Sequence, residues 1–117
     1  MERIHRLATY GSLAPGRSNA HQLDGLRGRW IEGHVHGTLV DEGWAANLGY
    51  PALILEPTAP KVGLHVFESL DLPLHWTRLD TFEGPQYQRV PVIVHTSGGD
   101  IEAFLYAHSD GGDAPSP

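Results

Sequence analysis

The residues best placed to do chemistry lie in LDTFEGPQYQR, residues 79–89, where Glu83 directly precedes Gly84 and Pro85. Leu72, Trp76, Leu79 and Glu83 recur at spacings of four, three and four, the repeat that puts side chains on one face of a helix. Glu83 therefore shares a stripe with apolar residues, at the end of a helix that Gly84 is expected to stop. Burial disfavours a charged carboxylate, and the negative end of a helix dipole does the same. Together they would lift a glutamate from ~4.3 towards ~6–7, the range useful for general acid–base catalysis. The plainer reading is a helix end turned slightly outward, with Glu83 half solvated. Pattern alone favours that reading, because isolated buried carboxylates are rare.

An acid–base group needs a partner for the charge that develops in the transition state. TYGSLAPG, residues 9–16, is a strand followed by a loop with a glycine near its start and another at its end. The successive backbone N–H groups of Gly11, Ser12 and Leu13 are candidates for a nest that holds a carboxylate or an oxyanion. Most turns of this composition bind nothing, so the loop alone is a weak signal. A nucleophilic role for Ser12 is disfavoured: GSLAPG does not match G-x-S-x-G, and no strand-to-helix elbow follows it. Eight histidines are many for 117 residues. His34 and His36 share one face of a strand, a spacing compatible with a metal, with His65, His95 or Glu68 as a third ligand. The pair HxH is common by chance, so ordinary strand histidines are the favoured reading, and no metal or cofactor is expected.

These groups have to be positioned by strands. HRLATYG (5–11), RWIEGHVHGTLVD (29–41), VGLHVFE (62–68), RVPVIVH (89–95) and IEAFLYA (101–107) alternate or are rich in β-branched residues. Gly33 and Gly37 interrupt the second of these and point to a strongly coiled sheet with close backbone approach. TSGGD (96–100) reads as a hairpin turn. Two helices are expected. One is short, within SNAHQLDGL and capped by Ser18; the other starts at Asp71 with Pro73 in its first turn, where proline costs little. The tail, Ser109–Pro117, is poor in apolar residues and rich in Gly and Pro, and reads as disordered. A single domain over 1–108 is the expectation.

Composition narrows the function. With 40% hydrophobic residues the chain can build a core without disulfides, and it has no cysteine, which removes thiol nucleophiles and zinc ribbons and fits a reducing cytoplasm. The N-terminal residues lack a signal-peptide core, and no apolar run approaches the ~20 residues of a membrane span. Fourteen acids against eight bases, with Lys61 the single lysine, give a formal charge of −6. Nucleic acid is thus an unsuitable partner, because phosphate neutralisation needs clustered cations. Oligomeric state is not readable from the sequence.

Taken in order, TYGSLAPG, GTLVDEG…GYPALILEP and LDTFEGPQYQR resemble the gamma-glutamylcyclotransferase-like family, with similar separations from about Leu7 to Tyr106. The resemblance implies an α+β fold: a small mixed barrel-like sheet with two short flanking helices. It also implies a cofactor-independent enzyme that cyclises a gamma-glutamyl amide to 5-oxoproline and releases an amine. Carried over to this chain, the loop that grips the glutamyl portion is Tyr10, Gly11, Ser12 and Leu13, and the acid that handles protons is Glu83. Tyr87 belongs to the same motif and is expected to line the pocket. Arg89 would hold the loop or a carboxylate, or be an ordinary paired arginine. Tyr50 would border the cavity, or simply pack beside its proline. Alternatives from other classes are a non-catalytic small-molecule binding domain of the same fold, and a metal-binding barrel built on His34 and His36.

Overall fold

The computed structural model describes residues 2–10, 20–40, 52–84 and 87–108. Within these residues the alternating segments become six strands: β1 (Arg6–Thr9), β2 (Arg29–Val40), β3 (Ala52–Leu55), β4 (Lys61–Glu68), β5 (Tyr87–Thr96) and β6 (Gly99–His108). Their order is β3-β2-β4-β1-β6-β5, and a further pairing of β2 with β5 closes the ring. β1 runs parallel to β6, while the other pairings are antiparallel. The result is the expected mixed barrel, five strands around, with β3 added to β2 as a sixth.

Closure depends on glycine. A Cβ at Gly33 would sit 2.6 Å from Val94 Cγ1 and 2.8 Å from the His95 carbonyl oxygen, so only a residue without a side chain lets β2 reach β5. Gly37 does the same against β3, where a Cβ would lie 2.6 Å from the Ile54 oxygen. The close backbone approach expected of both glycines is present.

Period-2 alternation divides the apolar residues between two cores. Ala8, Val35, Leu64, Val66, Val94, Ala103 and Leu105 turn into the barrel, with Leu53 of β3 beside them. Leu7, Phe67 and Tyr106 turn the other way and pack with Leu72, Trp76 and Leu79. β3 was not expected as a strand. It is four residues within a continuous apolar run, which carries no alternation to read.

The two expected helices differ from the structure. The segment from Asp71 forms a 3₁₀ turn, Leu72–Leu74, and then helix α1, Trp76–Glu83. The Asp71 carboxylate does not cap that turn; it accepts the Arg27 N–H at 2.9 Å. Pro73 sits in the first turn of the 3₁₀ segment, where it is tolerated. Leu72, Trp76 and Leu79 are nevertheless all buried together, so the stripe survives the break. The other helix is a single 3₁₀ turn, Ala20–Leu23, among the described residues, and Gly25 with φ 87° prevents its extension. Ser18 and the tail Ser109–Pro117 lie outside the described residues. At the far end of α1, Gly84 has φ 84° and ψ 177°, a conformation essentially reserved for glycine. It ends the helix at the residue after Glu83.

Candidate active site

α1 lays Trp76 and Leu79 into the core and brings Glu83, one turn beyond Leu79, to the edge of it, where it is half-buried. Burial alone pushes the Glu83 carboxyl up to about 7. The residue that pattern left between two readings is therefore partly solvated yet strongly perturbed. At neutral pH it is divided between its two protonation states, as a proton-transfer group must be.

Three phenols feel the Glu83 charge. Burial raises Tyr10 well above the ordinary tyrosine value, with the charges of Tyr87 and Glu83 adding to it against the Leu53 N–H. Burial and then Glu83 raise Tyr87. Burial, the hydrogen bond to Asp80 and the Asp80 charge raise Tyr106, with Glu83 adding and Arg89 opposing. All three remain neutral near pH 7, and two of the hydroxyls are committed elsewhere, Tyr10 to the Tyr106 carbonyl and Tyr106 to Asp80. Tyr10, the first residue after β1, is fastened at both sides: its hydroxyl donates to the Tyr106 carbonyl at 2.5 Å and accepts the Leu53 N–H at 3.3 Å. It is a fixed wall joining β1, β3 and β6.

A second carboxylate holds the end of the helix. Asp80 accepts hydrogen bonds from Arg89 Nε at 2.8 Å and Nη2 at 3.2 Å, and from the Tyr106 hydroxyl at 2.6 Å. The Arg89 guanidinium also lies 4.6 Å from the ring centroids of both Trp76 and Phe104. Burial pushes Asp80 up, but the bonds from Arg89 and Tyr106 and the Arg89 charge hold it below the usual carboxylate value. Two acids three residues apart on one helix are thus driven in opposite directions. Asp80 is a fixed anion in a structural clamp, and Glu83 is a titrating group. Arg89 is the paired arginine of the two readings, and its charge is already matched. Sequence reasoning gave Asp80 no role, and weighed Tyr106, like Tyr50, as bordering the cavity without choosing it. The signal that could have found Asp80 is the acid and arginine that flank the turn in LDTFEGPQYQR.

Of the sequence-predicted residues, the structure brings Glu83, Tyr10 and Tyr87 into one electrostatic neighbourhood. Gly11, Ser12, Leu13 and Tyr50 lie outside the described residues. His34 and His36 are far from this group and stand beside His95 of β5, with one ring nitrogen from each within 4.8 Å of the others. His65 and Glu68, the other residues weighed as third ligand, are elsewhere: His65 lies 3.9 Å from Glu32, and Glu68 accepts from Arg6 and Arg29 at 2.9 Å each.

Residues 7–116 match the family described as gamma-glutamyl cyclotransferase, AIG2-like. The chain belongs to that family. Among solved structures it is similar to an AIG2-like protein from Mus musculus, at TM-score 0.70 and 22% identity, covering 95% of this chain and 80% of the other. It is similar also to YkqA from Bacillus subtilis, at TM-score 0.70 and 24% identity, covering 90% of this chain and 36% of YkqA. A third is a protein from Arabidopsis thaliana solved in solution, at TM-score 0.69 and 21% identity, covering 93% and 64%. Identities this low establish the gamma-glutamyl cyclotransferase-like fold and no more. Among curated proteins none matches. No helix among the described residues is long and apolar enough to cross a membrane.

Proposed function

We propose that this member of the family cyclises a gamma-glutamyl amide, with Glu83 as the general acid–base group. The substrate's α-ammonium passes a proton to the Glu83 carboxylate. The freed amine attacks its own γ-carbonyl carbon, forming the ring C–N bond and a tetrahedral oxyanion. As that intermediate collapses, the proton goes to the departing nitrogen and the amide C–N bond breaks. The second proton of the attacking nitrogen, cationic once the ring bond has formed, passes to the freed Glu83 carboxylate and on to the released amine, so that 5-oxoproline and an ammonium leave. Protons balance with one carboxyl group. Nucleophile and electrophile belong to one molecule, so holding it folded supplies much of the rate.

The single observation supporting this reading is a half-buried carboxyl at the end of α1, pushed up to about 7 by burial and close enough to raise three tyrosines by its charge. Tyr87 and the ring of Tyr10 are assigned to the wall of the glutamyl pocket. The main-chain N–H groups of Gly11, Ser12 and Leu13, which follow Tyr10 in the chain, are assigned the substrate α-carboxylate. The experiment is a panel of gamma-glutamyl amides, from dipeptides to gamma-glutamyl-lysine-type amides, scored for 5-oxoproline release. Turnover of at least one is expected; a panel with none turned over sinks the reading.

A further inference from the structure

The cluster of imidazoles on the barrel wall is not used by that chemistry. Val35 and Val94 point into the barrel core, so their neighbours His34, His36 and His95 point outward. β2 and β5 meet at the register pair His34↔His95, and the three rings gather there. Ring centroids are 5.0 Å apart for His34–His95, 5.6 Å for His34–His36 and 5.8 Å for His36–His95. We propose that His34, His36 and His95 form a site for a borderline divalent transition-metal ion such as Zn²⁺, which clips the seam where the barrel closes.

Two of the three rings are already oriented by outer partners. His36 Nδ1 is 2.8 Å from the Ala59 carbonyl oxygen, and His95 Nδ1 is 2.8 Å from Asp100 Oδ1. An Nδ1–H donated to a carbonyl or carboxylate leaves Nε2 with its lone pair for a metal, the arrangement that orients ligand histidines in metal sites generally. A tetrahedral ion with bonds of about 2.0–2.1 Å places its ligand nitrogens about 3.4 Å apart. The half-exposed rings reach that spacing from within 4.8 Å by small side-chain rotations.

An all-imidazole set selects zinc, copper, nickel or cobalt over magnesium or calcium, and three protein ligands leave a fourth position for water. Lys61, paired with His36 across β2 and β4, is a cation beside the cluster, and the Asp100 carboxylate offsets it. His95 is eight residues along β5 from Tyr87, roughly 26 Å at the rise of a strand. The site is therefore separate from the Glu83 group. An ion held here binds the folded barrel and not the unfolded chain, so it adds stability in proportion to its occupancy.

The test uses the full chain without a polyhistidine tag, stripped by chelator and titrated with zinc chloride in a calorimeter near neutral pH. About one equivalent is expected to bind, with a Kd on the order of micromolar or tighter, and to raise the melting temperature. Asp100→Asn should weaken binding about 10–100-fold. His95→Ala and His34→Ala, checked for native circular dichroism, should each lose roughly tenfold or more together with the thermal shift. Glu83→Gln should bind as the natural chain does. Absence of saturable binding, or an affinity unchanged in both histidine variants, overturns the proposal.

Discussion

Glu83 carries two measurable consequences, one in stability and one in the proposed turnover. Its folded value of about 7 stands above the ordinary 4.5, so the fold favours the neutral acid. That contribution is complete below about 4.5 and is lost as pH rises through about 7. Glu83→Gln, neutral at every pH, should therefore be more stable than the natural chain at pH 8, by on the order of 1 kcal/mol once partial exposure is allowed for. The gain should vanish by pH 4, as read from denaturant midpoints; a gain independent of pH would mean the carboxyl is not perturbed. The same titration should appear in kinetics as a limb of kcat/KM rising through about pH 7, since the base must be ionised in the free enzyme. Pattern placed Glu83 on the right face because its stripe is local. It could not show the degree of burial, which is set by the packing of segments distant in the chain. The Asp80–Arg89 pair, nine positions apart, was readable in principle from sequence. The bond from Tyr106 to the same acid was not.

At the level of elements, five of the six strands and the stop at Gly84 were legible, because alternation and glycine act locally. The helices were less so. Asp71 is diverted to the Arg27 N–H, and one expected helix is a turn followed by α1, a tertiary contact set against a periodic signal. Gly33 was marked as a point of close approach, and the seam it permits is what joins β2 to β5. Gly33→Val should force its new carbons into Val94 and the His95 backbone, costing about 1–3 kcal/mol by overpacking. Thermal melts would register the loss; an unchanged melting temperature would show that the barrel is not closed at this point.

For the molecule as a whole, which strand meets which was not legible, since the pairings that close a ring join residues distant in the chain. One buried acid helps to hold that ring. Glu68 on β4 accepts from Arg6 on β1 and Arg29 on β2. Burial pushes its carboxyl up, but the two arginines outweigh burial and hold it below the usual value. A depressed carboxylate stabilises above its unfolded value and stops doing so as pH falls through its folded value. Glu68→Gln leaves Arg6 half-buried without its counter-charge and should lose about 3 kcal/mol near neutral pH. The deficit should shrink in acid as the natural glutamate also becomes neutral. Denaturation of both chains across pH 3–7 measures it, and a deficit constant over that range would contradict the assignment. Acid therefore weakens the frame around the barrel while alkali weakens the corner at Glu83.

The central claim is that one side chain moves the proton. Its most direct measurement is 5-oxoproline released per minute by Glu83→Gln against the natural chain, on an amide the natural chain turns over, above pH 7. A fall of roughly 10²–10⁴-fold with the fold intact is the predicted result. Equal rates from the two proteins would contradict it.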